Sequence, residues 1–286
     1  MDMHSTLLVT GATGTTGARL VRRLAEGGHR VRAAGRRATP VGGAGPVAFD
    51  WFAPATHEAA LSGVAGIYLV PPIGDPEPAT VMLPFLDRAR RAGVRRAVLL
   101  SSSLVPGGGP GTGAVHAALA ETFPEWAVLR PSWFMQNFTG RHPHAESLRD
   151  DATLVTATGH GRVGFIDAED IAAVAARALT DALPHNRDWV LTGPGTLSYD
   201  EIAATVAGVT GRPVRHRAVP EAELRERLAR ELPAEFAALL AGLDRMIAEG
   251  AEDRVTDAVE RVTGRPPRSF AAYALAHREA FTAAAR

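Results

Sequence analysis

The chain has 286 residues, 46% of them hydrophobic and 22% charged, with a formal net charge of +0. Such a chain can bury one sizeable core, or form a nucleotide-binding domain with a smaller lobe. It carries no global basic field to draw it to nucleic acid or to an anionic membrane. Cysteine is absent and all 31 basic residues are arginines. Disulfides, thiolate nucleophiles, cysteine metal sites, lysine Schiff bases and a phosphate-loop lysine are therefore excluded.

The apolar pattern starts within a few residues of Met1, with no charged leader and no apolar run approaching the ~18 residues of a membrane span. A cytoplasmic location is expected. Thr6 to Thr10 reads as a short buried strand ending at glycine. Thr15 to Ala25 carries Ala18, Val21, Leu24 and Ala25 at helical spacing and stops at Gly27-Gly28. Strands are predicted at Val31–Ala34, Pro46–Phe49, Gly66–Val70, Arg96–Ser101 and Ala127–Arg130, with helices at Ala55–Leu61, Val81–Ala92 and Val115–Phe123. A Gly/Pro-rich loop, Val105 to Gly113, precedes the last of these helices. Further on, Asp167 to Leu179 is an amphipathic helix, Asp188 to Gly211 reads strand, turn, helix, and Val214 to Ala218 is a short strand. From Glu221 onward the pattern is mostly helical.

Strands alternating with helices predict an α/β fold: a Rossmann-type, doubly wound parallel sheet with a small, mostly helical C-terminal lobe. The expected domains are residues 1–150, completed by segments within 151–195, and a substrate lobe over 196–286.

The first strand and helix flank Gly11-Ala12-Thr13-Gly14-Thr15-Thr16-Gly17. In that context the spacing G-x-x-G-x-x-G predicts a dinucleotide site rather than a mere tight turn. Gly11 makes the turn, Gly14 lets backbone approach a pyrophosphate, and Gly17 lets the helix pack on the strand. Thr13, Thr15 and Thr16 add hydroxyl donors, and the helix N-terminus attracts the anion. A Walker loop would need Gly-Lys-Ser/Thr. At the end of the second strand, where an NAD site places a carboxylate, the chain has Arg36 and Arg37. Arginine there can grip a 2′-phosphate, so the expected cofactor is NADP(H); the bland alternative is a pair of solvated charges. Asp50, after the third strand, can reach an adenine amine or simply hold a turn.

The stretches TGATGTTG, YLVPP (Tyr68 to Pro72), VLLSSS (Val98 to Ser103), LRPSWFMQNF (Leu129 to Phe138) and FIDAEDIAAVAARAL (Phe165 to Leu179) together resemble the NmrA-like atypical short-chain dehydrogenase/reductases. Within that group the chain is similar to the branch of the ergot-alkaloid (festuclavine and agroclavine) dehydrogenases and their bacterial relatives. The resemblance implies an extended Rossmann domain with a cleft beside a small lobe. It also implies that Pro71 and Pro72 line the cofactor path and that Ser101 and Ser102 sit near the nicotinamide ribose. Pro131, Trp133 and Phe134 would lie near the ring, with Asn137 orienting a substrate or capping a turn.

A typical member of the superfamily protonates its product with Tyr-x-x-x-Lys. This chain has only Tyr68, Tyr199 and Tyr273, none at a suitable spacing, and no lysine. His116 is the remaining candidate for acid–base help, against the alternative of a partly buried helix histidine. His142 and His144, with Glu146 nearby, show no metal spacing and read as solvated surface; no metal is expected. Asp167 and Asp170 read as capping carboxylates. The leading reading is an NADPH-dependent reductase that passes hydride to a small organic electrophile: an imine or iminium, a quinone or an activated alkene. The alternatives are a redox-sensing regulator that binds NADP without chemistry, and a non-redox isomerase or cyclase.

Overall fold

The structure, a computed structural model, describes residues 5–282. It opens with β1 (Thr6–Val9), α1 (Gly17–Glu26), β2 (Arg30–Gly35), β3 (Gly45–Ala48), α2 (His57–Leu61), β4 (Val64–Leu69), α3 (Ala79–Arg91), β5 (Arg96–Leu100), α4 (Gly113–Thr122) and β6 (Glu125–Pro131). It continues through α5 (Pro143–Asp150), β7 (Thr153–Thr156), β8 (Arg162–Val163), α6 (Ala168–Thr180), β9 (Arg187–Leu191), β10 (Leu197–Ser198) and α7 (Tyr199–Thr210). The last elements are β11 (Arg215–Ala218), α8 (Glu221–Leu228), α9 (Ala234–Ala248), α10 (Ala258–Thr263) and α11 (Phe270–Ala276).

Two compact units result. The first comprises Met1–Pro131, Ala168–Leu191 and Ala258–Arg265; the second comprises Ser132–Asp167, Thr192–Asp257 and Pro266–Arg286. Residues 132–150, read from the sequence with the nucleotide domain, thus fall in the second unit, and the short segment 258–265 returns to the first.

The first unit holds a parallel sheet in the order β3-β2-β1-β4-β5-β6-β9, the Rossmann-type arrangement expected. Its central strands are buried on both sides, as parallel strands between helical layers must be. Successive residues alternate between the faces. Leu8, Ile67, Leu69, Ala97, Leu99 and Val128 join Met82, Phe85, Leu86, Val115 and Leu119 of α3 and α4 in one core. Leu7, Val9, Tyr68, Val98 and Leu129, equally buried, point the opposite way, where α6 packs on the sheet and α1 packs on α6. Arg96 is buried yet satisfied: it pairs with Glu125 at 2.6 Å and donates to the Leu179 and Asp181 carbonyls at 3.0 and 2.7 Å, tying the end of α6 to β5. The strand order reverses between β1 and β4. Open α/β sheets bind ligands at such a switch point, beyond the carboxyl ends of the strands.

In the second unit β8 pairs antiparallel with β10, and β7 pairs parallel with β11. Phe138, Phe165, Tyr199, Ile202, Phe270 and Tyr273 form its core. The predicted capping box at α7 is present: Ser198 Oγ accepts from the Glu201 N–H at 3.2 Å and Glu201 accepts from the Ser198 N–H at 2.7 Å. No element is expected from the sequence between Arg130 and Asp167, where α5, β7 and β8 occur. They are too short to show a period, and β7 is completed only by β11, which begins at Arg215. His142 and His144 are not solvated surface. His142 Nδ1 caps α5 by accepting from the His144 N–H at 3.2 Å, and the His144 ring stacks on Phe138 and meets Tyr199 edge-on. Burial pushes the His144 imidazole down to about 3 and that of His142 down to about 4.

Candidate functional site: the glycine turn and the sheet's carboxyl edge

The turn after β1 is fastened from below. Thr10 donates its hydroxyl to the Tyr68 carbonyl at 3.1 Å and accepts from the Val70 N–H at 2.7 Å, which joins the ends of β1 and β4. The Ala12 N–H reaches the Ala34 carbonyl on β2 at 3.2 Å, and the Gly14 N–H closes on the Gly11 carbonyl at 2.8 Å. Gly11 adopts φ +59°, and a Cβ there would stand 3.0 Å from Val70 Cβ. A Cβ on Gly17 would stand 2.2 Å from the Gly11 oxygen, so helix and turn approach as only glycine permits.

Gly11, Thr13, Gly14 and Thr15 are exposed, whereas Thr16 and Gly17 are buried. The first turn of α1 carries no acidic residue and its N-cap side chain makes no capping bond. A positive helix end that offers its N–H groups to a glycine-lined surface is a fit for a pyrophosphate. The Thr16 hydroxyl accepts from Tyr68 Oη at 3.3 Å within the unit, which leaves its own O–H to donate.

Arg36 and Arg37 follow β2 and are exposed. Ala38, at φ +45°, turns the chain immediately after them. Asp50 holds a turn: Oδ1 accepts from the Phe52 N–H at 3.0 Å, and its own N–H donates to Thr56 at 3.1 Å. Pro71 and Pro72 leave the end of β4 half-buried.

At the carboxyl end of β5 the Ser101 N–H donates to the Leu129 carbonyl at 2.7 Å and the Ser103 N–H to that of the buried Pro131 at 3.0 Å. Ser101 and Thr112, the residue preceding α4, share a hydroxyl–hydroxyl bond of 2.7 Å. Ser102 is half-buried, and its carbonyl accepts from the Val105 N–H. His116 lies one turn into α4, half-buried, with Nδ1 enclosed and without a hydrogen-bond partner. Burial holds its imidazole below the ordinary value; Asp188 pulls it up and Arg130 pushes it down. A Cβ on Gly107 would rest 3.4 Å from that ring, so the Gly/Pro-rich loop lies over it. The loop is internally bonded, with the Gly108 N–H on the Gly113 carbonyl at 2.8 Å.

Trp133, Phe134 and Asn137 lie in the second unit. Trp133 packs against that unit's core, Phe134 bridges to Ile166, and the Asn137 N–H donates to the Phe134 carbonyl at 3.1 Å. All three are half-buried. All three tyrosines are buried. Tyr68 is buried under the glycine turn, and burial pushes its phenol up. Tyr199 is buried among aromatic rings, and burial together with Asp244 pushes it up. Tyr273 shares a hydroxyl bond with Thr139. Asp167 and Asp170 do more than cap: Asp167 pairs with Arg268 at 2.9 Å and accepts from Gln136, while Asp170 pairs with Arg265 at 3.1 Å.

Sequence reasoning missed Thr10 and the Arg130–Asp188 pair. A threonine closing β1 is a local signal for the first; the second joins β6 to β9 across 58 positions and leaves no local trace.

Residues 11–182 match the NAD(P)H-binding family and residues 118–271 the NmrA-like family. The uncharacterized oxidoreductase YesF of Bacillus subtilis is 46% identical over 97% of this chain and 96% of its own length. Agroclavine dehydrogenase of Claviceps fusiformis is 39% identical over 93% of this chain and 95% of its own. Among solved structures, the NADPH complex of the quinone oxidoreductase QOR2 of Escherichia coli shares the fold, with a TM-score of 0.80 at 22% identity over 95% of this chain and 99% of that one. With the glycine cradle in place at the switch point of a parallel sheet, these similarities put the chain in the NmrA-like family of NAD(P)H-binding oxidoreductases.

Proposed function

We propose that the protein is a cytoplasmic NADPH-dependent reductase that delivers hydride to a small organic electrophile: an imine or iminium, a quinone or an activated alkene. The observation that carries this reading is the exposure of Gly11, Thr13, Gly14 and Thr15 over an acid-free helix end, with Arg36 and Arg37 at the end of β2. The bound cofactor supplies a hydride. Gly11, Thr13, Gly14, Thr15 and the backbone of Thr16 and Gly17 hold its pyrophosphate, and Arg36, then Arg37, its 2′-phosphate. Asp50, through the carboxylate oxygen outside its turn, contacts the adenine amine. Pro71, Pro72, Ser101, Ser102 and Pro131 border its path. We assign substrate contact to Trp133, Phe134 and Asn137.

No tyrosine serves as acid in this reading, and the acceptor classes are chosen accordingly. An iminium already carries positive charge and a quinone delocalises the incoming negative charge, so both need orientation more than a strong acid. His116, held below its ordinary pKa, is a neutral imidazole near pH 7 and acts as a hydrogen-bonding group rather than a cation. The similarity to agroclavine dehydrogenase supports the hydride-transfer reading.

The test is NADPH consumption against a panel of quinones, cyclic imines and enones. Turnover with at least one class, faster with NADPH than with NADH, is expected. NADPH binding without oxidation by any acceptor would replace the enzyme with a dinucleotide-sensing regulator. His116→Ala is expected to lower kcat while leaving NADPH affinity within about twofold, read by steady-state kinetics beside a binding titration.

A further inference from the structure

Arg130 stands near the carboxyl end of β6 with only 16% of its side chain exposed. Each of its three guanidinium nitrogens has a partner. Nη1 meets Asp188 Oδ2 on β9 at 2.7 Å, Nη2 donates to the Ser103 carbonyl at 2.9 Å, and Nε donates to the Ser102 carbonyl at 3.4 Å. The sheet itself does not need these bonds, because the Ser101 and Ser103 N–H groups already extend the β5–β6 ladder past Leu100. What the arginine adds is control of two carbonyls that lie past the end of β5. The planar fork holds these three acceptors from three separate nitrogens in a fixed geometry, whereas an ammonium directs its donors from a single, freely rotating atom.

The segment so held is the one that carries the Ser101 hydroxyl. Its 2.7 Å bond to Thr112 Oγ1 joins it to the start of α4, and the His116 N–H follows on the Thr112 carbonyl at 2.9 Å. Of two hydroxyls sharing one hydrogen bond, one keeps a free O–H. The pair therefore presents a single donor at the carboxyl edge of the sheet.

We propose that Arg130, braced by Asp188, is a positioning residue for hydride transfer: it fixes the Ser102–Ser103 backbone so that the Ser101–Thr112 donor and the start of α4 meet the reacting end of the bound cofactor in one geometry. The proposal rests on the reductase reading above. The brace stays closed at neutral pH. Burial pushes the Asp188 carboxyl up, but the hydrogen bond and charge of Arg130 outweigh it and hold the group below its ordinary value. The pair adds little to stability, since Asp188 is 37% exposed and solvent screens its charge. Loss of the clamp should therefore misplace the segment without unfolding the unit.

The experiment compares the wild type with Arg130→Lys and Asp188→Asn by thermal melting, NADPH titration, steady-state kinetics and amide exchange over residues 101–104. Expected for Arg130→Lys are a melting point within about 3 °C of the wild type, NADPH affinity within about threefold, kcat lower by about tenfold or more, and faster exchange in the segment. Asp188→Asn, which keeps a neutral acceptor for the guanidinium, should fall between the two. Unchanged kcat in an active enzyme overturns the proposal. So does a parallel loss of melting point, affinity and kcat, which marks a merely structural residue. If the wild type turns over no acceptor, the reductase reading fails on its own. Exchange over residues 101–104 then still decides whether the clamp exists, and unchanged exchange refutes it.

Discussion

Gly14 and Gly17 sit three residues apart and answer to different constraints. A Cβ on Gly17 would come within 2.2 Å of the Gly11 oxygen, and backbone cannot yield that much without moving helix or turn. A Cβ on Gly14 would meet the same oxygen at 3.1 Å, a contact that a small shift relieves, but it would occupy the surface offered to the pyrophosphate. Gly14→Ala should therefore melt near the wild type and bind NADPH at least about tenfold more weakly. Gly17→Ala should lose about 1–3 kcal/mol of stability as well. Denaturant melts and a fluorescence titration separate the two. This part of the site is legible in the sequence because a close backbone approach excludes side chains locally. The bond from Tyr68 to Thr16 is not, since its partners are 52 residues apart. His144 misleads for the same reason: beside Pro143 and Glu146 it looks like surface, yet the Phe138 and Tyr199 rings, brought in from other elements, pack against it.

Among the elements, the long βα repeats announce themselves by period, whereas the second unit depends on buried polar contacts that its sequence conceals. On α9, Asp244 is buried and accepts the Ala157 N–H at 2.8 Å. Burial raises its carboxyl from 3.8 to about 6, against the pull of that one hydrogen bond. Because the folded value lies above the unfolded one, the stability Asp244 contributes is complete below pH 3.8 and is lost as pH rises through about 6. Asp244→Asn should flatten stability between pH 4 and 8 and leave the protein more stable than the wild type at pH 8, by about 3 kcal/mol. Melting curves at the two pH values check both statements. The burial of α9 on this side leaves Phe236 and Leu239 exposed elsewhere on the same helix, so the helix is not a simple amphipath and its buried positions could not be ranked from its pattern.

For the whole molecule, the cofactor is also a stability term. A ligand bound only by the folded state at a hundredfold excess over its Kd adds about 2.7 kcal/mol. If the two arginines after β2 grip the 2′-phosphate, NADPH should raise the melting temperature more than NADH at equal concentration. Arg36→Ala should remove most of that difference while leaving the NADH shift in place. A thermal-shift series with the two cofactors decides it. Among the described residues no helix is long and apolar enough to cross a membrane, and no cluster of metal-ligating side chains occurs.

The sequence by itself determined the alternating strands and helices of the first unit, the glycine turn and the arginines that follow β2. Each depends on a few contiguous residues, whose spacing or lack of a side chain is the physical requirement itself. The tertiary structure alone decided that β9 joins the sheet beside β6, that residues 258–265 return to the first unit, and that Arg130 finds Asp188. Those outcomes are set by packing and pairing between segments far apart in the chain, where register is chosen by which surfaces bury one another rather than by any pattern within either segment.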